Sequence, residues 1–493
     1  MIRLRVVDAV VAAALTMAAF VGSFGLYPWY DDWMYMSAAG NALAHGAPGE
    51  FLWAAFPPHW SPISFAFELL NLRLVSWDND VFVRVVVAVL VFGGLLVFAW
   101  LARSIGLGGP AVAAGMATLA LHHANAAAFY AFDCYDQIAA DLLTWTSLVL
   151  VWRAIAAPRR RAPGLLAAAA VLYAPALLIK EQALALCASV VVIAVWVFMR
   201  PRLRVSRWRI GALALALVVM SGAFAVARWR AGLLFEASGP YRLCLTCVPG
   251  NVGLLVTSLV VPVRTLEVFL ALQGRAWPPD LHVVMAGVAS AGVLLFVAGG
   301  LVRHSRVHGA GRAVLAGALL LSSLFPVVLL PGVTELYAHT ALFWFGLMVA
   351  MAADGWLASG ETRRLWRGAV GGALIVYVVT LGSGLRANRG DMRASGERSR
   401  VWSDRMHAAL EAVPLHDTVL VRGLLMVKAP GDYGLYRVTS PGYLLAGKAG
   451  VSWRVPGIAL CVPGEACAED AAWIADVDEE HERVVVRRVN GRR

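Results

Sequence analysis

Two adjacent carboxylates, Asp31 and Asp32, stand just after the first long apolar run, inside YPWYDDWMYMSAAGNALAHG. Like charges at that spacing are costly unless solvated, paired or put to use, because one raises the pKa of the other. Helix capping, with an Asp oxygen meeting the free N–H groups of a first turn, accounts comfortably for one of them and less well for two. The other reading is a general base. Later in the same loop, Pro57-Pro58-His59-Trp60-Ser61-Pro62 holds His59 and Trp60 on a stiff backbone, although Trp is also an ordinary interface anchor. A third group, His122-His123 with Asn125, Tyr130, Asp133 and Asp136, is dense enough to line a water-filled cavity, but its spacing matches no metal-ligand signature. Lys180-Glu181 is the sharpest charge feature, set between apolar runs. A snorkelling Lys beside a neutralising Glu explains it plainly, and a Lys holding an anion in a cavity explains it functionally. Glu335, Tyr337 and His339 open a later apolar run, and Arg230 and Arg242 follow an earlier one. No glycine-rich phosphate loop, G-x-S-x-G or H-E-x-x-H occurs, so nucleotide hydrolysis, serine hydrolysis and zinc proteolysis have no support.

The elements that position these residues follow from composition. The chain has 493 residues, 60% hydrophobic and 15% charged, with mean hydropathy +0.70. Soluble domains run near 45–50% apolar and about 25% charged, so a single water-soluble core is excluded. A membrane-spanning helix needs about 20 mostly apolar residues. Such runs lie near 6–26, 81–101, 110–129, 137–154, 164–179, 182–199, 209–227, 250–272, 282–302, 313–331, 337–356 and 367–384. The expectation is an all-α polytopic membrane domain of 11–12 helices over 1–385, with a long first loop at 27–80. The first run resembles a signal peptide but is too long for one and is read as an uncleaved anchor.

The net charge of +11 sits between the apolar runs, which argues against nucleic acid and for basic cytoplasmic loops. The Arg153–Arg161, Arg200–Arg209, Arg303–Arg312 and Arg363–Arg367 clusters all belong on the cytoplasmic side. Twelve strict crossings would put Arg303–Arg312 outside. Taking 250–272, with Pro262, Arg264 and Glu267, as re-entrant or surface-lying restores agreement at eleven crossings. The N-terminus is then cytoplasmic and the tail extracytoplasmic, in a plasma (inner) membrane. Cys244/Cys247 and Cys461/Cys467 fall outside on this topology, where close pairs read as disulfides; four free thiols are the alternative. Cys134 and Cys187 read as ordinary membrane-embedded cysteines.

On this topology Asp31, Asp32, Glu181 and Glu335 share the outer side, and the arrangement resembles the GT-C superfamily of polytopic glycosyltransferases. A first span followed by an outer loop opening on Asp-Asp is the first likeness. His59-Trp60-Ser61-Pro62-Ile63 is similar to the Ser-Pro-Leu segment closing that loop, Leu178-Ile179-Lys180-Glu181 to a Ser-Lys-Glu step, and Glu335-Leu336-Tyr337 to a Glu-Arg-Tyr box. The second loop lacks the usual His-Pro and glutamate, and Leu336 stands where an Arg is expected. The resemblance, which covers roughly 1–384, implies sugar transfer from a polyprenyl-phosphate donor to a lipid, glycan or protein acceptor on the extracytoplasmic face. Asp31 or Asp32 would take the acceptor proton as an oxocarbenium-like centre develops. Lys180, with Arg230 or Arg242, would hold the departing phosphate, a divalent cation being an alternative source of positive charge. Glu181, His59, Tyr130, Asp136, Glu335, Tyr337 and His339 would line the substrate cavity; no metal ligand set is assigned.

Residues 386–405, rich in Arg, Gly and Ser, read as a linker to a small α/β domain over 386–493. A helix is expected at 401–412, with strands at Thr418–Arg422, Val451–Val462 and Arg483–Arg487. The competing readings are a transporter or flippase of lipid-linked saccharides, which would be expected to show internal repeats and paired broken helices, and a polymerase or ligase of surface polysaccharide.

Overall fold

The computed structural model describes residues 5–26, 38–40, 42–43, 46–53, 61–74, 81–131, 134–158, 160–200, 207–232, 242–261, 281–331, 333, 335–358, 364–414, 417–422, 432–433, 436–437, 459–461, 468–478, 481 and 483–489. Asp31, Asp32, His59 and Cys467 lie outside the described residues.

Apolar sequence on every face drives the helices of the membrane domain into bundle contact. They are α1 (Val6–Phe20), α2 (Pro48–Trp53), α3 (Pro62–Leu74), α4 (Val81–Ser104), α5 (Gly109–Leu121) and α6 (Ala126–Tyr130). Then follow α7 (Tyr135–Ala156), α8 (Ala162–Ile179), α9 (Leu184–Phe198), α10 (Arg207–Arg230) and α11 (Val248–Val260). Last come α12 (Leu281–His308), α13 (Gly311–Ser323), α14 (His339–Ala358) and α15 (Arg364–Leu410). Eight of these, α4, α7–α10, α12, α14 and α15, are long and apolar enough to cross a membrane, and α1, α5, α11 and α13 are shorter apolar helices. The chain is a multi-pass membrane protein.

Contacts at the helix ends fix the direction of travel. The start of α1 meets the end of α4 through Arg103 Nη2 and Asp8 Oδ1, 2.7 Å apart and both buried. The end of α1 meets the connection after α5, where the Tyr130 hydroxyl donates to Ala19 O at 2.6 Å. Helices therefore alternate between two ends. At one, the turn end, connections are short: 105–108, 157–161 and 309–310. At the other, the loop end, lie the long connections 21–80, 122–134, 231–280 and 324–338.

The short α11 touches the loop end with both termini. Asn251 Nδ2 donates to Val328 O and Leu330 O, which follow α13, while His122, at the end of α5, bonds Leu259 O at 3.0 Å. This helix stops at Val260 and does not traverse the bundle among the described residues; 262–272, the rest of the run expected to be re-entrant or surface-lying, lies outside them.

Small residues let the helices approach. A Cβ at Gly115 of α5 would collide with Phe98 and with the Gly346 carbonyl of α14, so backbone packs on backbone there. Phe98 and Phe343 cross edge-to-face beside that contact, with centroids 5.4 Å apart.

The tail differs from its sequence reading in one respect. α15 continues without a break from the membrane domain to Leu410, so 386–405 is helix rather than linker, and the boundary drawn at 385/386 falls inside it. The extension is fixed by tertiary contacts: Arg389 donates to Val21 O, and Arg393 to Gly22 O and Phe24 O, carbonyls left open past the end of α1. Its end packs Met406 and Leu410 on a sheet ordered β4-β1-β5-β6, from β1 (Thr418–Arg422), β4 (Ala459–Cys461), β5 (Trp473–Asp478) and β6 (Arg483–Arg488). β1 pairs parallel with β4 and β5, and β5 antiparallel with β6. A separate two-stranded ladder joins β2 (Asp432–Tyr433) to β3 (Tyr436–Arg437).

Candidate active site

At the loop end, charges from distant parts of the chain meet in pairs. Lys180 follows the last turn of α8, where Pro175 inside the helix and the 3-10 turn Glu181–Ala183 end the α-helical ladder. Its ammonium donates to Asp136 Oδ2 of α7 at 2.8 Å. Next to it, Glu181 Oε2 lies 3.4 Å from Arg228 Nη1 of α10. The side chains of Lys180, Asp136, Glu181 and Arg228 are 13%, 8%, 20% and 11% exposed, which leaves the cluster within reach of solvent yet largely desolvated. Charges so placed interact far more strongly than on a wet surface.

The long first loop plants a foot beside this cluster. Ser64 of α3 donates its hydroxyl to Ile179 O at 2.9 Å, and the Tyr135 hydroxyl donates to Ser64 O at 2.7 Å. The start of α3, with Pro62 in its first turn, is thereby pinned against the residues flanking Lys180 and Asp136. The segment similar to the family's loop-closing Ser-Pro thus meets the Lys-Glu step. Asp31 and Asp32 follow, by five and six residues, the described Leu26, which is buried past the end of α1.

A third pair lies between the connections. His123 Nδ1 faces Glu335 Oε1 at 3.7 Å, while His123 Nε2–H donates to Val261 O at 2.8 Å. Its neighbour His122 accepts the Ala124 N–H on Nδ1 and so carries its proton on Nε2, which donates to Leu259 O. Burial, with His123 alongside, pushes the His122 imidazole down to about 3, which makes it a neutral strut rather than a cation. Tyr130 is equally internal: burial pushes its hydroxyl up to about 12.

His339 is buried too. Its Nδ1–H donates to Asp141 Oδ2 at 2.6 Å, and Asp141 also accepts from Gln137 Nε2 and Thr340 Oγ1. Of the cavity residues expected from sequence, Asp136, Glu181 and Glu335 keep some accessible surface, whereas Tyr130 and His339 are buried. Tyr337 is partly buried against the core. Arg230 and Arg242 are exposed. The cation turned toward Glu181 is Arg228, two residues before Arg230, because i and i+2 leave a helix in different directions.

Arg228, Asp141 and Arg84 were missed in the sequence. Arg84 is fully buried at the first turn of α4 and donates to Phe129 O and Tyr130 O, fastening the second loop. The signal for Asp141 and Arg84 was available: an ionisable residue inside an apolar run is a site hypothesis by default. Cys244 and Cys247 form a disulfide just before α11, and Cys134 and Cys187 are free thiols.

The fold is that of the polytopic membrane GT-C proteins. The solved structures it resembles are membrane glycosyltransferases. ArnT from Cupriavidus metallidurans in the apo state superposes with TM-score 0.58 at 13% identity, over 97% of this chain and 96% of that one. The same protein bound to undecaprenyl phosphate gives 0.57 at 15% identity, over 93% and 86%. The Archaeoglobus fulgidus oligosaccharyltransferase complexed with Zn and sulfate gives 0.55 at 9%, over 95% and 67%. No protein-family model matches the chain, and neither does any curated protein sequence.

Proposed function

We propose that this protein is a membrane glycosyltransferase that moves a hexosyl or pentosyl unit from a polyprenyl-phosphate donor to a lipid, glycan or protein acceptor. The observation that carries the reading is the meeting of Lys180–Asp136 and Glu181–Arg228 beside the foot of the first loop, at the end of the bundle where the long connections lie. The solved neighbours bound to lipid phosphates, ArnT with undecaprenyl phosphate and the archaeal oligosaccharyltransferase with a dolichol-phosphate, support a lipid-phosphate partner here.

The chemistry asks for two things. A carboxylate, Asp31 or Asp32, takes the acceptor hydroxyl proton while the new bond forms to the anomeric carbon. The bond from that carbon to the donor's phosphate oxygen breaks, and polyprenyl phosphate leaves with the electron pair. Lys180, with Arg228 and the more exposed Arg230 and Arg242, offsets the charge that develops on the phosphate. In the resting pair Asp136 holds Lys180 in place, and an arriving phosphate competes for its donors. A divalent ion could share this task, but among the described residues no set of three metal-ligating groups converges at this end. No step is therefore assigned to one.

Orientation follows from charge. Arg153, Arg160, Arg161, Arg200, Arg303 and Arg312 all lie at the turn end, which supports a cytoplasmic turn end in a plasma-membrane protein. The loop end and the C-terminal sheet then face the extracytoplasmic side.

Membranes carrying Asp31→Asn, Asp32→Asn or Lys180→Ala test the assignment through transfer of labelled sugar from a polyprenyl-phosphate donor. Loss in Lys180→Ala and in at least one Asp variant is expected. Full transfer by all three would end the assignment.

A further inference from the structure

The turn end holds a group of side chains that the transfer reaction does not use. His304 and His308 sit four residues apart on α12, so both rings leave the same helix face, with centroids 4.5 Å apart. Asp354 of α14 faces them: its Oδ2 lies 3.3 Å from His304 Nδ1 and 3.7 Å from His308 Nε2. The helices are brought this close by glycine. A Cβ at Gly355 would collide with the Gly300 carbonyl and His304 N, and one at Gly300 with Ala352.

We propose that His304, His308 and Asp354 bind a first-row transition-metal ion, with Zn2+ the best match, as a cross-link between α12 and α14. Three observations carry this. His304 is 1% exposed, and neither of its ring nitrogens has a hydrogen-bond partner among the described residues. A buried polar atom left so is costly, and the few that occur call for an explanation such as an ion.

The spacing is the second. Both His-to-Asp distances exceed the usual 2.7–3.2 Å of an N–H···O bond. Two ligand atoms each bonded to zinc at ~2.0–2.1 Å in a tetrahedron stand ~3.3 Å apart, which is the His304–Asp354 separation. All three ligand atoms lie within 4.8 Å of one another.

The third is the support behind the carboxylate. Asp354 Oδ1 accepts the Gly108 N–H at 3.2 Å from the α4–α5 turn, leaving Oδ2 for the ion. Imidazole nitrogens with one carboxylate favour zinc and its neighbours over magnesium or calcium, which prefer all-oxygen sites. The nearby cations are engaged elsewhere: Arg303 stacks on Trp356 at 4.0 Å, and Arg312 donates to Ile105 O. His308, 35% exposed, leaves the fourth position open to water. The site stands at the opposite end from Lys180 and Asp136, so its role is to fasten helices and not to handle the sugar donor.

The test uses the full chain, purified without a histidine tag from zinc-replete cells, with metal content measured by mass spectrometry. One zinc per chain is expected, with loss of that zinc in His304→Ala and in Asp354→Asn. Because His304→Ala could misfold, His308→Gln at the more exposed ligand is the second variant, read by its zinc content and by monodispersity in detergent. Co2+ added to the chelated wild type should give the visible absorption of a tetrahedral site, and Zn2+ should raise its thermal midpoint. Zinc content at background in the wild type, or unchanged in folded His308→Gln and Asp354→Asn, would overturn the proposal and leave a His–Asp–His polar contact only. Transfer activity plays no part in the readout, so this result stands apart from the glycosyltransferase reading.

Discussion

The two ends of the helical bundle use charge differently. At the turn end, Asp8–Arg103 and Asp354–Gly108 join parts of the chain far apart in sequence, and Arg312 caps the Ile105 carbonyl of the α4–α5 turn. At the loop end, Lys180–Asp136, Glu181–Arg228 and His123–Glu335 set one ionisable side chain against another, and Lys180, Glu181, Arg228 and Glu335 keep 13%, 20%, 11% and 20% of their side-chain surface exposed. Buried pairs of either kind contribute little net stability over an apolar replacement, whereas removing one partner alone is expensive. Asp8, Arg103 and Arg312 are accounted for by the bonds they make to each other and to backbone. On the proposed function, the loop-end charges are where a substrate phosphate would enter.

That contrast can be broken in several ways. The largest effect should come from Asp31→Asn or Asp32→Asn: loss of the base should lower transfer by about 10²–10⁴-fold with little change in thermal midpoint. Next, Asp136→Asn and Asp8→Asn should each cost about 3 kcal/mol of stability, seen as a lower midpoint in detergent. Only Asp136→Asn should also reduce transfer per folded molecule. Equal activity losses from both would erase the distinction between the ends. Pairing Asp136→Asn with Lys180→Met should restore much of the midpoint and none of the transfer, since it removes the stranded charge without returning a phosphate contact.

A smaller effect is expected in the packing between the ends. Gly115→Val should cost about 1–3 kcal/mol by forcing Phe98 and the α14 backbone away, with transfer per folded molecule unaltered. The smallest belongs to the disulfide. A loop this short gains about 2 kcal/mol or less from closure, so Cys244→Ser with Cys247→Ser should lower the midpoint modestly. A membrane-impermeant alkylating reagent applied to intact cells should label Cys244 and Cys247 only after reduction. Labelling confined to permeabilised cells would reverse the assignment of the ends to membrane sides.

Much of this was legible in the sequence, for reasons that differ by feature. The spans announce themselves by length, and the Arg303–Arg312 cluster required that one run near 250–272 not cross; its described part, α11, has both termini at one end. Lys180-Glu181 stood out because adjacent charges interrupt apolar sequence. Arg228 did not, because it sits one residue from Trp229 and two from Arg230, and only the helix phase says which of them turns inward. The long α15 was hidden by its composition: Arg, Gly and Ser over 386–405 read as linker, and the carbonyls of Val21, Gly22 and Phe24 that hold Arg389 and Arg393 come from the far end of the sequence. Strands at Thr418–Arg422 and Arg483–Arg487 were visible as β-branched runs, the latter extending to Arg488 in the structure, and the mixed Trp473–Asp478 strand between them was not.

The central claim is that the loop end transfers a sugar from a lipid phosphate. Its most direct test is mass spectrometry of polyprenyl-linked sugars and envelope glycans from cells producing the wild-type chain or Asp31→Asn/Asp32→Asn at equal membrane levels. The account predicts that the double variant accumulates one polyprenyl-phosphate sugar and loses one glycosylated product. Identical lipid and glycan profiles in the two would contradict it.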